Sequence, residues 1–182
     1  MTVLNFAYGS NLLTRRILAR APSTKVLGVG TVHGHALRWH MASDDGSGKC
    51  DMVPVDDPAS SVIGVVYEVT RAEKADLDRA ETLGHGYEER EVQVLMRAQA
   101  GSGAVHGSPH SAAHGTLAAV AYRALITDPS SVPYDWYKAL VVGGAREHGF
   151  PQPYIDGLEA VVTKTDADAA RAARHRALVD GR

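Results

Sequence analysis

Apolar positions along the chain fall into two rhythms, one of strands and one of helices. Val3 to Tyr8 reads as a short strand that ends at Gly9. A helix is predicted to follow at once, capped by Ser10 or Asn11, with Leu12, Leu13, Ile17 and Leu18 forming an apolar stripe and Ala21-Pro22-Ser23 ending it. Residues 24–41 read as one or two strands, with Val26, Val29, Val32, Leu37 and Trp39 as apolar positions. Asp44 to Gly48 reads as a turn or loop. The valine-rich run from Ser61 to Val69 predicts a strand with a buried centre.

From Thr70 to Thr82 the spacing predicts a helix. Thr70 and Glu73 form a capping-box pair, Leu77 and Ala80 mark the inner face, and Gly84 and Gly86 lie just past the end. Tyr87 to Met96 alternates as a strand, and Leu117 to Ile126 reads as the strand that returns. Between them, residues 100–115 are rich in Gly, Ser, Ala and His and predict an exposed excursion. Pro133 opens a helix to about His148, stopped by Gly149 and Pro151. Gly157 to Val162 reads as a short apolar segment, and an Ala/Arg-rich helical tail starts at about residue 166. Strand-to-strand connections dominate the middle. That order predicts one α/β (α+β) domain over 1–182, with a mixed or antiparallel sheet or barrel rather than a doubly wound parallel sheet.

Composition narrows the class. A chain of 182 residues, 45% hydrophobic and 22% charged, builds one soluble core without a disulfide or metal. A net charge of -2 gives no reason to expect nucleic acid as a partner. The lone Cys50 forms no intramolecular disulfide and reads as a half-buried thiol at a loop or strand edge. No long uncharged apolar run predicts a membrane span, and no basic leader precedes Val3, so a cytoplasmic location is expected.

Two stretches carry candidate chemistry. At Tyr8-Gly9-Ser10-Asn11-Leu12 a strand passes through glycine into a helix start, where unpaired N–H groups and the helix dipole suit a carboxylate or phosphate. On the residues alone an ordinary capped turn is the simpler reading, because the motif is shorter than a phosphate-binding glycine-rich loop and lacks its lysine. Glu81 follows Leu77 by four residues, so it shares the apolar face at the helix C-terminus. Partial burial and the dipole there both disfavour its charged form, which suits a general acid/base. Asp76, Asp78 and Arg79 show that much of this helix is solvated, so a desolvated acid and a surface glutamate are evenly matched. Tyr122 and Tyr137 each offer a phenol, and each taken alone reads as a core-edge tyrosine. His106, His110 and His114 recur every four residues, but Gly107, Ser108 and Pro109 preclude a helix, so no metal or other cofactor is expected.

Taken together and in order, these segments resemble the γ-glutamylcyclotransferase family over about residues 3 to 162. The resemblance is carried by Phe6-Ala7-Tyr8-Gly9-Ser10-Asn11-Leu12, Gly64-Val65-Val66-Tyr67-Glu68-Val69, Leu77-Asp78-Arg79-Ala80-Glu81, Tyr122, and Tyr137 with Gly144 through Pro151. It implies a mixed α/β arrangement around a small β-barrel. It also implies cleavage of γ-glutamyl amides by internal cyclisation, with release of 5-oxoproline. Glu81 would then be the acid/base. Tyr8, Gly9, Ser10, Asn11 and Leu12 would hold the γ-glutamyl portion, and Tyr122 and Tyr137 would face the substrate. The chain departs from better-known members in the 100–115 excursion and in Gly46 to Asp51, which resembles a cavity-edge loop; both bear on the leaving group. The expected partner is a small γ-glutamyl substrate, with a homodimer as the one protein partner considered. A non-catalytic carboxylate- or metabolite-binding module on the same fold is the competing expectation. A carboxylate at position 81 argues against it, because it would repel an anionic ligand.

Overall fold

The computed structural model describes residues 1–98 and 115–181. All but the last residue of the 100–115 excursion, with His106, His110 and His114, lies outside the described residues. Seven strands and five α-helices are described: β1 (Thr2–Ala7), α1 (Thr14–Leu18), β2 (Lys25–His33), β3 (His35–Ala42), β4 (Gly48–Pro54), β5 (Ser61–Thr70), α2 (Arg71–Ala80), β6 (Tyr87–Met96), β7 (Thr116–Ala124), α3 (Asp135–Glu147), α4 (Gln152–Glu159) and α5 (Ala169–Asp180). A 3₁₀ turn, Ser10–Leu12, precedes α1.

Five strands close a barrel in the order β1-β5-β2-β6-β7, and β3 with β4 forms a separate two-stranded sheet. β5 is sandwiched between β1 and β2, which explains its near-continuous apolar sequence: Val62, Val65, Val66, Tyr67 and Val69 are fully buried. All barrel pairings are antiparallel except the closure, where β1 meets β7 in parallel at Asn5 and Val120. The mixed barrel expected from the order of elements is therefore present.

Three local expectations are corrected. Gly48 to Asp51, read as part of a cavity-edge loop, is strand, because β4 pairs with β3 from Ala42 to His35. Residues 152–159 form α4, whose inner side is Ile155 and Leu158; Pro153 and Gly157 obscure its periodicity. In α2 the residue turned inward is Lys74 together with Leu77, whereas Ala80 is exposed. Lys74 goes inward because its ammonium meets Asp78, Glu89 and the Tyr122 hydroxyl. The capping box is only half made. Thr70 Oγ1 accepts from Glu73 N, but the Glu73 carboxylate turns to Ser23, accepting from its backbone N–H at 3.1 Å.

Candidate active site

The site is built where β1 leaves the barrel. The chain turns through Gly9 into the 3₁₀ turn, and Leu12 N bonds back to Gly9 O at 3.0 Å. Ser10 and Asn11 lie inside this turn and cap nothing. Leu13 precedes α1, which is only five residues long. The expected anion site at the start of a long capped helix is thus replaced by a compact turn held from outside. Tyr67 Oη donates to Leu12 O at 3.0 Å, and His148 Nε2 lies 3.0 Å from the same oxygen. Gly144 of α3 packs against the backbone of Leu12 and Leu13, where any Cβ would collide. At Gly9 the fit is tight: a Cβ would stand 3.1 Å from Cys50 Cβ and 3.2 Å from Tyr137 Oη, so a neighbour would have to give way.

Glu81 is the residue that caps the C-terminal end of α2. The helix ends in a paired motif, with Thr82 N on Arg79 O at 3.1 Å and Leu83 N on Asp78 O at 2.9 Å. Thr82 takes the left-handed position of that motif at φ 51°, a strained conformation for a β-branched residue, directly after Glu81. The Glu81 side chain is 15% exposed. Its Oε1 accepts from Asn11 Nδ2 at 2.9 Å and from Arg20, whose guanidinium also donates to Asn11 Oδ1 at 2.8 Å. A cation therefore touches this carboxylate directly. Oε2 has no protein partner among the described residues.

An inner chamber of about 30 Å³ opens onto Glu81, room for one water-sized group. The loop from Tyr8 to Asn11, Cys50, Tyr87, Tyr122 and Tyr137 line it, with Asn5 at its barrel end. Outside it lies a vestibule of about 280 Å³ that shares Ser10, Glu81, Tyr87 and Tyr137 with the chamber. Glu81 thus stands at the boundary between the two spaces.

The structure brings Tyr8, Gly9, Ser10, Asn11, Glu81, Tyr122 and Tyr137 together around the chamber. Leu12 is the exception and is corrected: it lines neither space, is 1% exposed, and belongs to the core. The phenols are engaged with protein. Tyr8 donates to Tyr122 O, Tyr122 donates to Asp78 at 2.6 Å, and Tyr137 Oη accepts from Cys50 N at 3.0 Å. Burial pushes the pKa of Tyr8, Tyr122 and Tyr137 upward, so each remains a neutral hydroxyl.

Sequence reasoning missed five residues. Asn5 is 1% exposed and lines the chamber, and neither atom of its amide has a protein partner among the described residues. Tyr87 donates to Cys50 O at 2.9 Å. Cys50 is buried on β4, and burial lifts its thiol pKa to about 12, which makes it a neutral wall rather than a nucleophile. Arg16 and Arg20 come from α1 and the turn after it. Their spacing of four was the available signal. Among the described residues no group of His, Cys, Asp or Glu is arranged to hold a metal, and no helix is long and apolar enough to cross a membrane.

The chain belongs to the AIG2-like family, whose model matches residues 61–158, more than half of its length, and it is an enzyme of the γ-glutamylcyclotransferase-like kind. Among curated relatives it is similar to the γ-glutamylcyclotransferase of Mus musculus, 28% identical over 172 residues covering 88% of this chain and 79% of that protein. The γ-glutamylcyclotransferase of Homo sapiens is 27% identical over 166 residues, covering 87% and 78%. A solved γ-glutamyl cyclotransferase structure shares the fold over the full length of both chains, with a TM-score of 0.81 at 23% identity.

Proposed function

We propose that the chain cleaves a γ-glutamyl amide by internal cyclisation, releasing 5-oxoproline and an amine or amino acid. The observation that carries this reading is the state of Glu81. One oxygen is fixed by Asn11 and Arg20, while the other, at the chamber boundary, has no protein partner among the described residues. A carboxylate held in this way is aimed at a proton, as a general acid/base must be. In the proposed reaction the substrate's α-amino nitrogen attacks its own γ-carbonyl carbon and closes the five-membered lactam. Glu81 Oε2 takes the proton that this nitrogen loses and returns it to the leaving nitrogen as the amide C–N bond breaks. No net proton is consumed, so one carboxylate serves both steps.

The glutamyl portion is assigned to the Glu81 boundary, with only a water-sized group such as its α-amine reaching into the inner chamber. There the backbone of Tyr8 to Asn11 and the unpartnered Asn5 amide offer donors and an acceptor to its α-carboxylate and α-amine. Neutral phenols and a neutral thiol complete that wall, so nothing there competes with Glu81 for the proton. Holding amine and carbonyl in contact supplies a large share of the rate, because the reaction is intramolecular. Glu81→Gln keeps the shape but accepts no proton. 5-Oxoproline release from a panel of γ-glutamyl compounds should fall by about 10²–10⁴-fold in this variant, while calorimetry still detects binding. Near-wild-type turnover by Glu81→Gln on a good substrate would refute the reading.

A further inference from the structure

The helix that carries Glu81 is held to the barrel by very little apolar surface. Of the ten residues of α2 only Lys74 and Leu77 are buried, so Leu77 is its one buried apolar side chain. The other inward residue is a lysine, which a core position tolerates only where its ammonium is satisfied.

That ammonium is satisfied by groups from three elements. It meets Asp78 one turn further along α2, Glu89 on β6 and the Tyr122 hydroxyl on β7, the last at 3.0 Å. It also lies 4.8 Å from the centre of the Tyr122 ring. The Tyr122 hydroxyl donates to Asp78 at 2.6 Å, so one carboxylate receives both the ammonium and the phenol. A polar network satisfied in this way is rigid and specifies one arrangement of its members.

Asp78 joins this cluster to the active site. Its backbone O accepts from Leu83 N at 2.9 Å, the bond that closes the turn through Glu81 and Thr82. The backbone at Glu81 is thus set from Asp78, whereas Asn11 and Arg20 hold the carboxylate tip. Tyr122 belongs to the chamber wall, and its backbone O accepts from Tyr8. Lys74, Asp78 and Glu89 line neither the chamber nor the vestibule, so the cluster acts on the chemistry through the residues it holds.

We propose that Lys74 is a positioning residue for the reaction: it locks the end of α2 onto β6 and β7, so that Glu81 meets the chamber at a fixed place. The proposal rests on the cyclisation reading for what Glu81 does there. Without the lock, α2 would rest on Leu77 alone and could roll or slide on the barrel.

Lys74→Met keeps the length and the apolar stem but removes the charge. Misplacing a catalytic group by about 1 Å can cost about 10²-fold, and loss of this tie should cost about tenfold in kcat. KM should hardly change, because the loop from Tyr8 to Leu12 is held elsewhere, by Tyr67, His148 and Gly144. Lys74→Arg keeps the charge and should recover part of the loss. Glu89→Gln loosens the tie to β6 while Lys74 keeps Asp78; it should lower kcat by less, and it is the readout if Lys74→Met does not fold. Hydrogen exchange read by mass spectrometry follows the lock without turnover: amides over residues 77–87 should exchange faster in both variants than in the wild type. A variant that only melts earlier, with kcat and this exchange unchanged below its midpoint, overturns the proposal. Faster exchange with unchanged kcat overturns it too, and in both cases the cyclisation reading stands. If the wild type releases no 5-oxoproline from the γ-glutamyl panel but exchange rises in the variants, the lock stands and the cyclisation reading falls. No release and no change in exchange overturns both.

Discussion

The inner chamber and the outer vestibule share four residues and differ in almost everything else. The chamber wall is neutral, built of phenols, a thiol and an unpartnered carboxamide. The vestibule is dominated by cations, with Arg171 and His175 supplied by the C-terminal segment, beyond the residues that the family model matches. Under the proposed reaction, Glu81 moves a proton on the chamber side with no other ionised group beside it, and the leaving portion lies on the vestibule side. Arg20 sits on the seam, because its guanidinium touches Glu81 from the vestibule side.

After loss of Glu81 itself, breaking that seam should have the largest effect. Arg20→Met removes the cation on Glu81 Oε1 and the bond to Asn11 Oδ1, leaving Asn11 alone to position the carboxylate. A fall of about 10–100-fold, seen mainly in kcat, is expected from losing a charge-assisted contact. Arg20→Lys should restore part of it, which a purely structural role would not predict.

Moving the loop that both spaces share comes next. Gly144→Ala places a methyl against the backbone of Leu12 and Leu13. Overpacking of this kind costs about 1–3 kcal/mol, to be read from the denaturation midpoint, and KM should rise as the turn shifts. An unchanged midpoint and KM would mean that α3 does not set the loop position.

The effect that is smallest at neutral pH, and grows only in acid, should be confined to the vestibule. The folded protein holds His175 at a pKa of about 4, below the ordinary histidine value, so protons favour the unfolded chain between the two. The stability associated with the neutral ring is complete above about pH 6.5 and declines as pH falls toward 4. Thermal unfolding of His175→Phe should lose less than the wild type across that window. Parallel curves would show that the ring is not held neutral.

Much of the fold was legible. The valine run of β5 and the alternation of β6 need only their own neighbours to be read, and α2 is announced by Thr70 and stopped before Gly84. β4 was hidden because Gly48, Lys49 and Asp51 look like turn chemistry, although the pairing with β3 that makes them a strand is not local. The loop and Glu81 were singled out by the family resemblance, because on the residues alone an ordinary turn was the simpler reading and a surface glutamate an even match. Asn5 was not, because its meaning comes from the barrel closure with β7, and Tyr87 reads as an ordinary strand start. Arg16 and Arg20 gain their meaning only when the fold brings Glu81, and α5 with its His175, across from them.

The central claim is that the substrate's own amine, with Glu81 moving its proton, displaces the leaving group. The most direct test is turnover of a γ-glutamyl substrate in ¹⁸O-labelled water, with the products analysed by mass spectrometry for wild type and Glu81→Gln. Cyclisation predicts unlabelled 5-oxoproline from the wild type and almost none from the variant. Labelled free glutamate as the product, or equal 5-oxoproline from both proteins, would contradict it.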